Sequence, residues 1–302
     1  NTSQALLNIV AGELSNLFGG SADVADSVKT HVKSFTDYSK DNRKGENINF
    51  GIREFAMGAI QNGILLHGGL RTYVGCFLVF ADYRKPSIRR AARERIPAIY
   101  LFSHDSLAVG EDGPTHQPIE QLARLRAIPR LNLFRPADAI ETSAAYRSAF
   151  ESVDHPTAII LSRQGLFNNP QSSFQGSLMG GYVVSKEKEK AVLTLIATGS
   201  EVNLAVQAQE LLLADGIDVR VVSMPCTEIF NKQDASYQDE IFGNDYDHRV
   251  FIEMGKPDGN YRYAKNVFGV DDFGSSAPAD QVLDSYGFTP EKIANRIKSL
   301  LA

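Results

Sequence analysis

The sequence predicts an α/β protein with two domains. Short apolar runs alternate with segments of helical periodicity, which is typical of β-α-β units around a parallel sheet. The 302 residues are enough for about two domains of ordinary size. Residues 165–181 are rich in Gly, Asn, Gln and Ser, so they interrupt the alternation and indicate a linker. We therefore expect a parallel-sheet domain over residues 1–170, a linker over 171–187 and a smaller α/β domain over 188–302.

The predicted strands and helices of the first domain follow one another in order. Apolar runs predict strands over residues 17–20, 71–77, 96–102, 131–134 and 156–164. Helical periodicity predicts helices over residues 2–14, 53–67, 78–95, 118–125 and 138–150. We expect Thr2 or Ser3 to cap the first helix and Asp138 to cap the last. Pro86 is expected to interrupt the helix that contains it, and the polar segment 29–47 is expected to be a loop.

The second domain repeats the alternation. Apolar runs predict strands over residues 191–199, 217–224 and 248–254, and helical periodicity predicts helices over residues 201–216 and 290–301. The last helix is amphipathic, with Ile293, Ile297 and Leu300 on one face. No cluster of converging titratable groups is predicted after residue 163. The acids Glu253, Asp271 and Asp272 are scattered along the sequence and receive no chemical role.

The composition argues against several classes of protein. With 43% hydrophobic and 22% charged residues, the chain is typical of a soluble globular protein. A net charge of −5 without a basic stripe disfavours nucleic-acid binding. No apolar run approaches the roughly 18 residues of a membrane span, and no signal pattern opens the chain. Cys76 and Cys226 lie far apart in apolar runs and are expected to be core thiols of a cytoplasmic protein.

The segment from Ser103 to Gln117 concentrates the polar groups expected to carry chemistry. It follows an apolar strand, so it lies at the carboxyl end of that strand, where α/β proteins bind ligands. Composition alone also allows a solvated connection. A metal site is disfavoured because the two histidines are twelve residues apart and no cysteine pair is present. The side chains expected to converge on one small molecule are His104, Asp105, Glu111, Asp112 and His116.

Two further features precede this segment. Glu54 lies in the first turn of a predicted helix between apolar neighbours. Burial would disfavour its charged form and the helix N-terminus would favour it, although such a glutamate is usually a surface acid. Phe77, Phe80 and Tyr83 recur at every third position, which is typical of a core stripe, but flat apolar rings can also wall a pocket.

Seven strings of this sequence together indicate a family. The longest is HDSLAVGEDGPTHQPIEQLARLR over residues 104–126, which is far more specific than a lone glycine motif. The others are GGSAD (19–23), FGIREF (50–55), CFLVFADY (76–83), LSRQ (161–164), ATGSEV (197–202) and FGSSAPAD (273–280). Taken together, these strings resemble the transketolase family. The resemblance implies the pyrimidine-binding α/β domain of a thiamine diphosphate enzyme, followed by a transketolase C-terminal α/β domain. The family's N-terminal diphosphate-binding domain is not among these residues, so we expect the C-terminal half of a transketolase.

The resemblance also implies a role for each candidate residue. Glu54 is expected to hydrogen-bond N1′ of the cofactor's aminopyrimidine ring and, with His116, to be catalytic. The residues expected to contact the cofactor are Glu54, Phe77, Phe80, Tyr83 and Asp23. The residues expected to contact the sugar phosphate are Ser27, His104, Asp112, His116 and Arg163. No metal ligand is expected on this chain, because the Mg or Ca ion would lie on the missing domain.

The implied reaction is the reversible transfer of a two-carbon ketol unit from a ketose phosphate to an aldose phosphate, as in the pentose phosphate pathway. The chain is expected to be inactive alone and to work as a homodimer or paired with the diphosphate-binding half. Two alternatives stay open at this point. One is another thiamine diphosphate enzyme, such as deoxyxylulose-phosphate synthase or a 2-oxo acid dehydrogenase β subunit. The other is a non-catalytic assembly subunit of a split transketolase.

Overall fold

A computed structural model describes residues 1–243 and 245–302 and confirms the α/β class. Within these residues the strands form one sheet of six strands and one of five. The first sheet contains β1 (Leu17–Ser21), β2 (Asn47–Asn49), β3 (Arg71–Phe77), β4 (Ile99–Ser103), β5 (Asn132–Phe134) and β6 (Thr157–Ile160). The second sheet contains β7 (Tyr182–Ser185), β8 (Leu193–Ala197), β9 (Val219–Ser223), β10 (Arg249–Ile252) and β11 (Asn266–Phe268).

Helices connect the strands of each sheet. Those before β7 are α1 (Thr2–Glu13), α2 (Ala25–Val28), α3 (Glu54–His67), α4 (Ala81–Glu94), α5 (Gln121–Arg126), α6 (Ala139–Glu151) and α7 (Phe174–Leu178). Those after β7 are α8 (Glu201–Ala214), α9 (Thr227–Phe230), α10 (Ala235–Phe242), α11 (Ala279–Ser285) and α12 (Pro290–Leu301). Short 3-10 turns lie at Leu78–Phe80, Leu107–Asp112, Tyr246–His248 and Pro257–Arg262. In the described part of the chain, no helix combines the length and apolar character needed to cross a bilayer.

The first sheet is parallel throughout, in the order β2-β1-β3-β4-β6-β5. Its central strand β4 is buried on both faces, because Tyr100 and Phe102 pack into one core cluster while Ile99 and Leu101 pack into another. This explains why β4 reads as a continuous apolar run rather than an alternating one. Because the strands run in one direction, their carboxyl ends meet at a single edge of the sheet.

The second sheet has the order β11-β10-β8-β9-β7, and its edge strand β7 pairs antiparallel with β9. The expectation of a linker over residues 171–187 is therefore wrong in one respect, since that range contains α7 and β7. The reason is that Tyr182 and Val184 are buried whereas Val183 and Ser185 are only partly buried. This is the alternation of a half-buried strand. The division into residues 1–170 and 188–302 stays a prediction.

Two local predictions in the first domain are also wrong. Neither Thr2 nor Ser3 caps α1, whose N-cap is Asn1, because the Ser3 hydroxyl instead hydrogen-bonds the Tyr146 hydroxyl at 2.7 Å. Pro86 does not interrupt α4, which continues through it to Glu94. The buried face of α4, which packs against α3, offsets the single hydrogen bond that the proline removes. The Asp138 cap is confirmed, since its side chain accepts from the backbone N–H groups of residues 140 and 141.

Candidate active site

Four strands of the first sheet deliver candidate residues to the same edge. Asp23 follows β1, Phe77 ends β3, His104 follows β4 and Arg163 comes shortly after β6. The register confirms this alignment for two of them, because Phe77 lies opposite Ser103, the residue before His104. Of these four, Phe77 and His104 belong to a cluster of aromatic rings, and His104 and Arg163 line a polar cleft.

Five rings form a cluster that we call the aromatic pocket, namely those of Phe77, Phe80, Tyr83, His104 and His116. The His104 ring stacks on Phe77 with centroids 3.7 Å apart, and Phe80 lies 6.0 Å from Phe77 in a stacked arrangement. His116 presents its edge to Phe80 at 5.5 Å. Phe77 is 8% exposed whereas Tyr83 is 66% exposed, so the pocket runs from the core to the surface. Of the aromatic residues at every third position, Phe77 therefore belongs to the core and Tyr83 lies at the surface.

Glu54 is the first residue of α3 and is half-buried. Its charge acts on Cys76, the residue before Phe77. Burial raises the pKa of the Cys76 thiol to about 11, the positive charge of Arg84 lowers it, and the negative charge of Glu54 raises it. The Glu54 carboxylate therefore acts on the end of the strand that carries the aromatic pocket.

His104 has an uncommon backbone conformation and a perturbed imidazole. Its φ of 61° lies in the left-handed region, which turns the chain sharply at the end of β4. Its Nδ1 lies 2.9 Å from the Ser103 hydroxyl. Burial, followed by the positive charge of Arg163, lowers the pKa of His104 to about 4, although the charges of Asp112 and Asp105 raise it. The imidazole is therefore neutral at pH 7 and can donate one hydrogen bond and accept another.

The polar cleft has a volume of about 380 Å³ and lies beside the aromatic pocket. Three candidates from separate elements line it, namely Ser27 of α2, His104 and Arg163. Several other polar residues line it that no sequence motif had indicated, which are Lys29, Ser103, Ser162, Gln164 and Asn168. Most of these lie within two residues of a candidate, so proximity to the strand ends was the available signal.

The segment between His104 and His116 does not direct all of its acids into the site. Asp112, at the end of a 3-10 turn, is exposed and its charge acts on His104. Glu111 is exposed, and its backbone carbonyl accepts a hydrogen bond from Ser276. Asp105 is only 1% exposed and faces the interior. The prediction that all five titratable side chains converge is therefore wrong for Asp105, because the sharp turn at His104 sends the two neighbours in different directions.

Asp105 belongs to a buried ionic cluster centred on Arg135. The Arg135 guanidinium donates to Asp105 Oδ2 at 2.8 and 3.0 Å and to Glu201 Oε1 at 2.9 Å. It also donates to the carbonyl and hydroxyl oxygens of Thr198. Asp105 and Arg135 lie in the first domain and Thr198 and Glu201 in the second, so this cluster joins the domains. Burial raises the pKa of Glu201, which is consistent with carboxylates outnumbering guanidinium groups here.

Glu253 extends the same cluster, so its classification as a scattered acid is wrong. Arg126 donates to both of its oxygens at 2.7 Å, and the Thr198 hydroxyl donates at 2.6 Å. Burial raises the pKa of Glu253, but the Arg126 charge and these bonds lower it to about 2. The partners lie more than 50 residues away in sequence, so no local pattern could have identified them.

Two family models match this chain. The one described as "Transketolase, pyrimidine binding domain" matches residues 1–168, and the one described as "Transketolase-like TK C-terminal domain" matches residues 180–289. A probable transketolase from Streptococcus pneumoniae serotype 4 is 50% identical over 99% of this chain. The transketolase of Geobacillus stearothermophilus is 48% identical over the whole chain. Only 46% of each relative is covered, so the chain spans about half the length of the curated relatives it matches.

Solved structures agree with this match. A transketolase from Pichia stipitis, in complex with sedoheptulose 7-phosphate, superimposes with a TM-score of 0.96 at 38% identity, covering 99% of this chain and 45% of that one. A chain described as split gene transketolase, inactive beta4 tetramer, covers 99% of this chain and 97% of its own length. Its 23% identity and TM-score of 0.78 support the shared fold alone. Because the first family model covers more than half of the 302 residues, this chain belongs to the transketolase family of thiamine diphosphate enzymes.

Proposed function

We propose that this chain supplies the pyrimidine-binding half of a transketolase active site. The complete site would transfer a two-carbon ketol unit reversibly from a ketose phosphate to an aldose phosphate, as in the pentose phosphate pathway. The observation that carries the proposal is the position of His104. Its ring stacks on Phe77 in the aromatic pocket and also lines the polar cleft with Arg163. The rings that would contact a flat cofactor ring therefore adjoin the cleft that would hold an anionic sugar.

The aromatic pocket fits the pyrimidine end of thiamine diphosphate. Phe77 and Phe80 offer apolar ring faces, while the half-buried carboxylate of Glu54 offers a hydrogen-bond acceptor near the strand end. We assign Glu54 to hold a proton shared with the aminopyrimidine, and Tyr83 and Asp23 to the outer contacts of the cofactor. When bound, thiamine diphosphate supplies the electron sink needed to break a carbon–carbon bond of a ketose.

The polar cleft fits the phosphate end of a sugar. Arg163 provides a permanent charge with a forked donor geometry, and Ser27 provides a hydroxyl from a separate element. His104 is neutral at pH 7 and so contributes a directional hydrogen bond rather than charge. We assign Asp112 to accept from a sugar hydroxyl, and His116 to contact both sugar and cofactor at the aromatic pocket. The sugar phosphate bound by the Pichia stipitis enzyme belongs to this substrate class.

A partner subunit is part of the proposal. Large apolar side chains on both sides of Glu54 in the sequence are exposed, including Ile52 at 78% and Phe55 at 55%. Such a patch is typical of a surface that another subunit covers. A homodimer, or pairing with a diphosphate-binding half, would bring the diphosphate and metal contacts to the open side of the aromatic pocket. The structural neighbour described as an inactive tetramer provides a precedent for a chain of this fold without activity alone.

A ketol-transfer assay tests the proposal. The chain would be assayed with xylulose 5-phosphate, ribose 5-phosphate, thiamine diphosphate and Mg²⁺, first alone and then with a separately expressed transketolase diphosphate-binding half. We expect activity only in the mixture. Glu54→Ala should lower it at least about 100-fold, as expected for loss of a group that assists proton transfer. The control Glu13→Gln changes an exposed acid of α1 and should leave activity intact.

Other outcomes would identify the alternatives. Product formed only from pyruvate and glyceraldehyde 3-phosphate would indicate deoxyxylulose-phosphate synthase chemistry instead. A stable complex that binds thiamine diphosphate but has no activity toward any of these sugars would favour a non-catalytic assembly subunit. Full activity of the 302-residue chain alone would refute the need for a partner.

A further inference from the structure

A segment of the second domain, Phe273 to Ala279, packs against the loop that carries the site residues of the first domain. We call the loop, residues 104–117, the site loop. Gln117 Nε2 donates to the Ser275 carbonyl at 3.0 Å, and also to the Gly110 carbonyl within the site loop at 3.1 Å. The Ser276 hydroxyl donates to the Glu111 carbonyl at 2.6 Å. Gln117 thus bridges the two domains from a buried position.

Close packing reinforces these hydrogen bonds. A Cβ added at Gly110 would lie 3.2 Å from the backbone nitrogen of Ala279, and one added at Gly113 would lie 3.1 Å from Ser276 Cβ. Both glycines have positive φ values of 76° and 73°. The second-domain surface therefore packs closely against both glycine turns of the site loop.

The other end of the site loop is held by Arg135. Asp105 receives two hydrogen bonds from this guanidinium, which in turn donates to Thr198 and Glu201 of the second domain. Arg135 and Asp105 are 0% and 1% exposed, so solvent does not weaken the pairing. The two anchors occupy equivalent places in the sequence, because Asp105 directly follows His104 and Gln117 directly follows His116.

We propose that the second domain positions the site loop, so that Arg135 and Gln117 are positioning residues for His104, Asp112 and His116. This inference rests on the proposed function, because it gives that loop its role. Each histidine of the aromatic pocket is attached to a residue whose side chain is bonded, directly or through Arg135, to the second domain. Contacts from the second domain thereby act on the reacting end of the first domain.

Hydrogen exchange on the full chain tests the proposal without cofactor or activity. Gly274→Ala adds one methyl group in the second domain that would overlap Gln117 Oε1, and a Cβ there would also approach Leu107 at 2.8 Å. The matched control is Gly259→Ala, whose Cβ would meet nothing within 4 Å. We expect the amides of Gly113 and Gln117, both bonded within the site loop, to exchange at least about tenfold faster in Gly274→Ala only.

A second pair of variants tests the Arg135 anchor. Glu201→Gln weakens that anchor from the second domain, whereas Glu187→Gln weakens an ion pair with Arg220 of β9. Here the readout is the His104 ring, followed by NMR titration. If Glu201→Gln loosens the site loop, solvent reaches the ring and the pKa of His104 rises from about 4 toward that of a free histidine. Glu187→Gln should leave it unchanged.

The results distinguish this inference from the proposed function. Faster exchange confined to the site loop, together with the raised His104 pKa, would support the positioning role even if the ketol-transfer assay failed. Site-loop exchange and a His104 pKa that match the unsubstituted chain in both Gly274→Ala and Glu201→Gln would overturn it. Exchange that accelerates equally in β4, β8 and the site loop would also count against it, because that reports general destabilisation rather than positioning.

Discussion

Glu141 provides the sharpest test of how the two domains are held together. It is fully buried in α6, yet its carboxylate accepts hydrogen bonds from the Ala137 backbone at 2.7 Å, the Tyr182 hydroxyl at 2.8 Å and the Ser223 hydroxyl at 2.6 Å. Burial raises its pKa from 4.5 to about 7 against the effect of these bonds, and the charge of Asp138 raises it further. Tyr182 and Ser223 lie in the second sheet, so this carboxylate also lies at the domain interface.

The sign of the pH dependence follows from the raised pKa. The folded protein binds the Glu141 proton more tightly than the unfolded chain does, so the protonated form contributes stability. That contribution is complete below about pH 4.5 and is lost as the pH rises through about 7. A change from 4.5 to about 7 corresponds to about 3 kcal/mol, because each pH unit is worth about 1.4 kcal/mol.

Urea unfolding of the chain and of Glu141→Gln, each at pH 5 and pH 8.5, would measure this contribution. Glutamine keeps the shape but does not titrate, so the free energy of unfolding should fall by about 2.5 kcal/mol more in the unsubstituted chain than in the variant. The change in unfolding free energy between pH 5 and pH 8.5 is compared between the two proteins. This comparison cancels the contribution of every other titrating group, because both proteins share those groups. The control Glu13→Gln should titrate like the unsubstituted chain. Parallel pH profiles for the unsubstituted chain and Glu141→Gln would refute the assignment.

Three further predictions concern single residues. Arg163→Leu should raise the pKa of His104 above about 4 in an NMR titration, because the Arg163 charge lowers it, whereas Arg163→Lys should leave it low. Asp138→Ala should lower the free energy of urea unfolding by about 1 to 2 kcal/mol through loss of the α6 cap, and an unchanged midpoint would contradict that role. Gly20→Ala should lower it by about 2 kcal/mol or more, because its Cβ would overlap the backbone carbonyl of Ile48 on the neighbouring strand, as thermal or urea unfolding would show.

The parts of the fold that sequence reasoning predicted are those fixed by local pattern. The apolar runs that became β3, β4 and β6 are buried on both faces, and the Asp138 cap depends on backbone groups within three residues. The edge strand β7 was missed because it is short and follows a polar, glycine-rich stretch. Its pairing with β9 lies about 40 residues further along the chain, where local propensity gives no information.

In the candidate site, local pattern also did not predict the directions in which side chains point. Sequence reasoning placed His104 and Asp105 together because they are adjacent. The left-handed conformation at His104 separates them, sending the imidazole to Phe77 and the carboxylate to Arg135. A positive φ outside glycine has no reliable sequence signal, since the surrounding contacts impose it. Glu253 has no such signal either, because its partner Arg126 lies 127 residues earlier in the sequence.

The buried polar contacts between the domains argue that they unfold as one cooperative unit. Separating them would leave Arg135 with Asp105 as its remaining charged partner from this cluster, and would remove the Tyr182 and Ser223 donors from Glu141. A partial separation that removes one partner while the other charge stays buried would cost about 3 to 5 kcal/mol, which is a large fraction of the stability of a typical domain. An apolar interface could slide with little penalty, whereas these directional bonds admit one arrangement. The arrangement that they fix is the one in which the site loop contributes to both the aromatic pocket and the polar cleft.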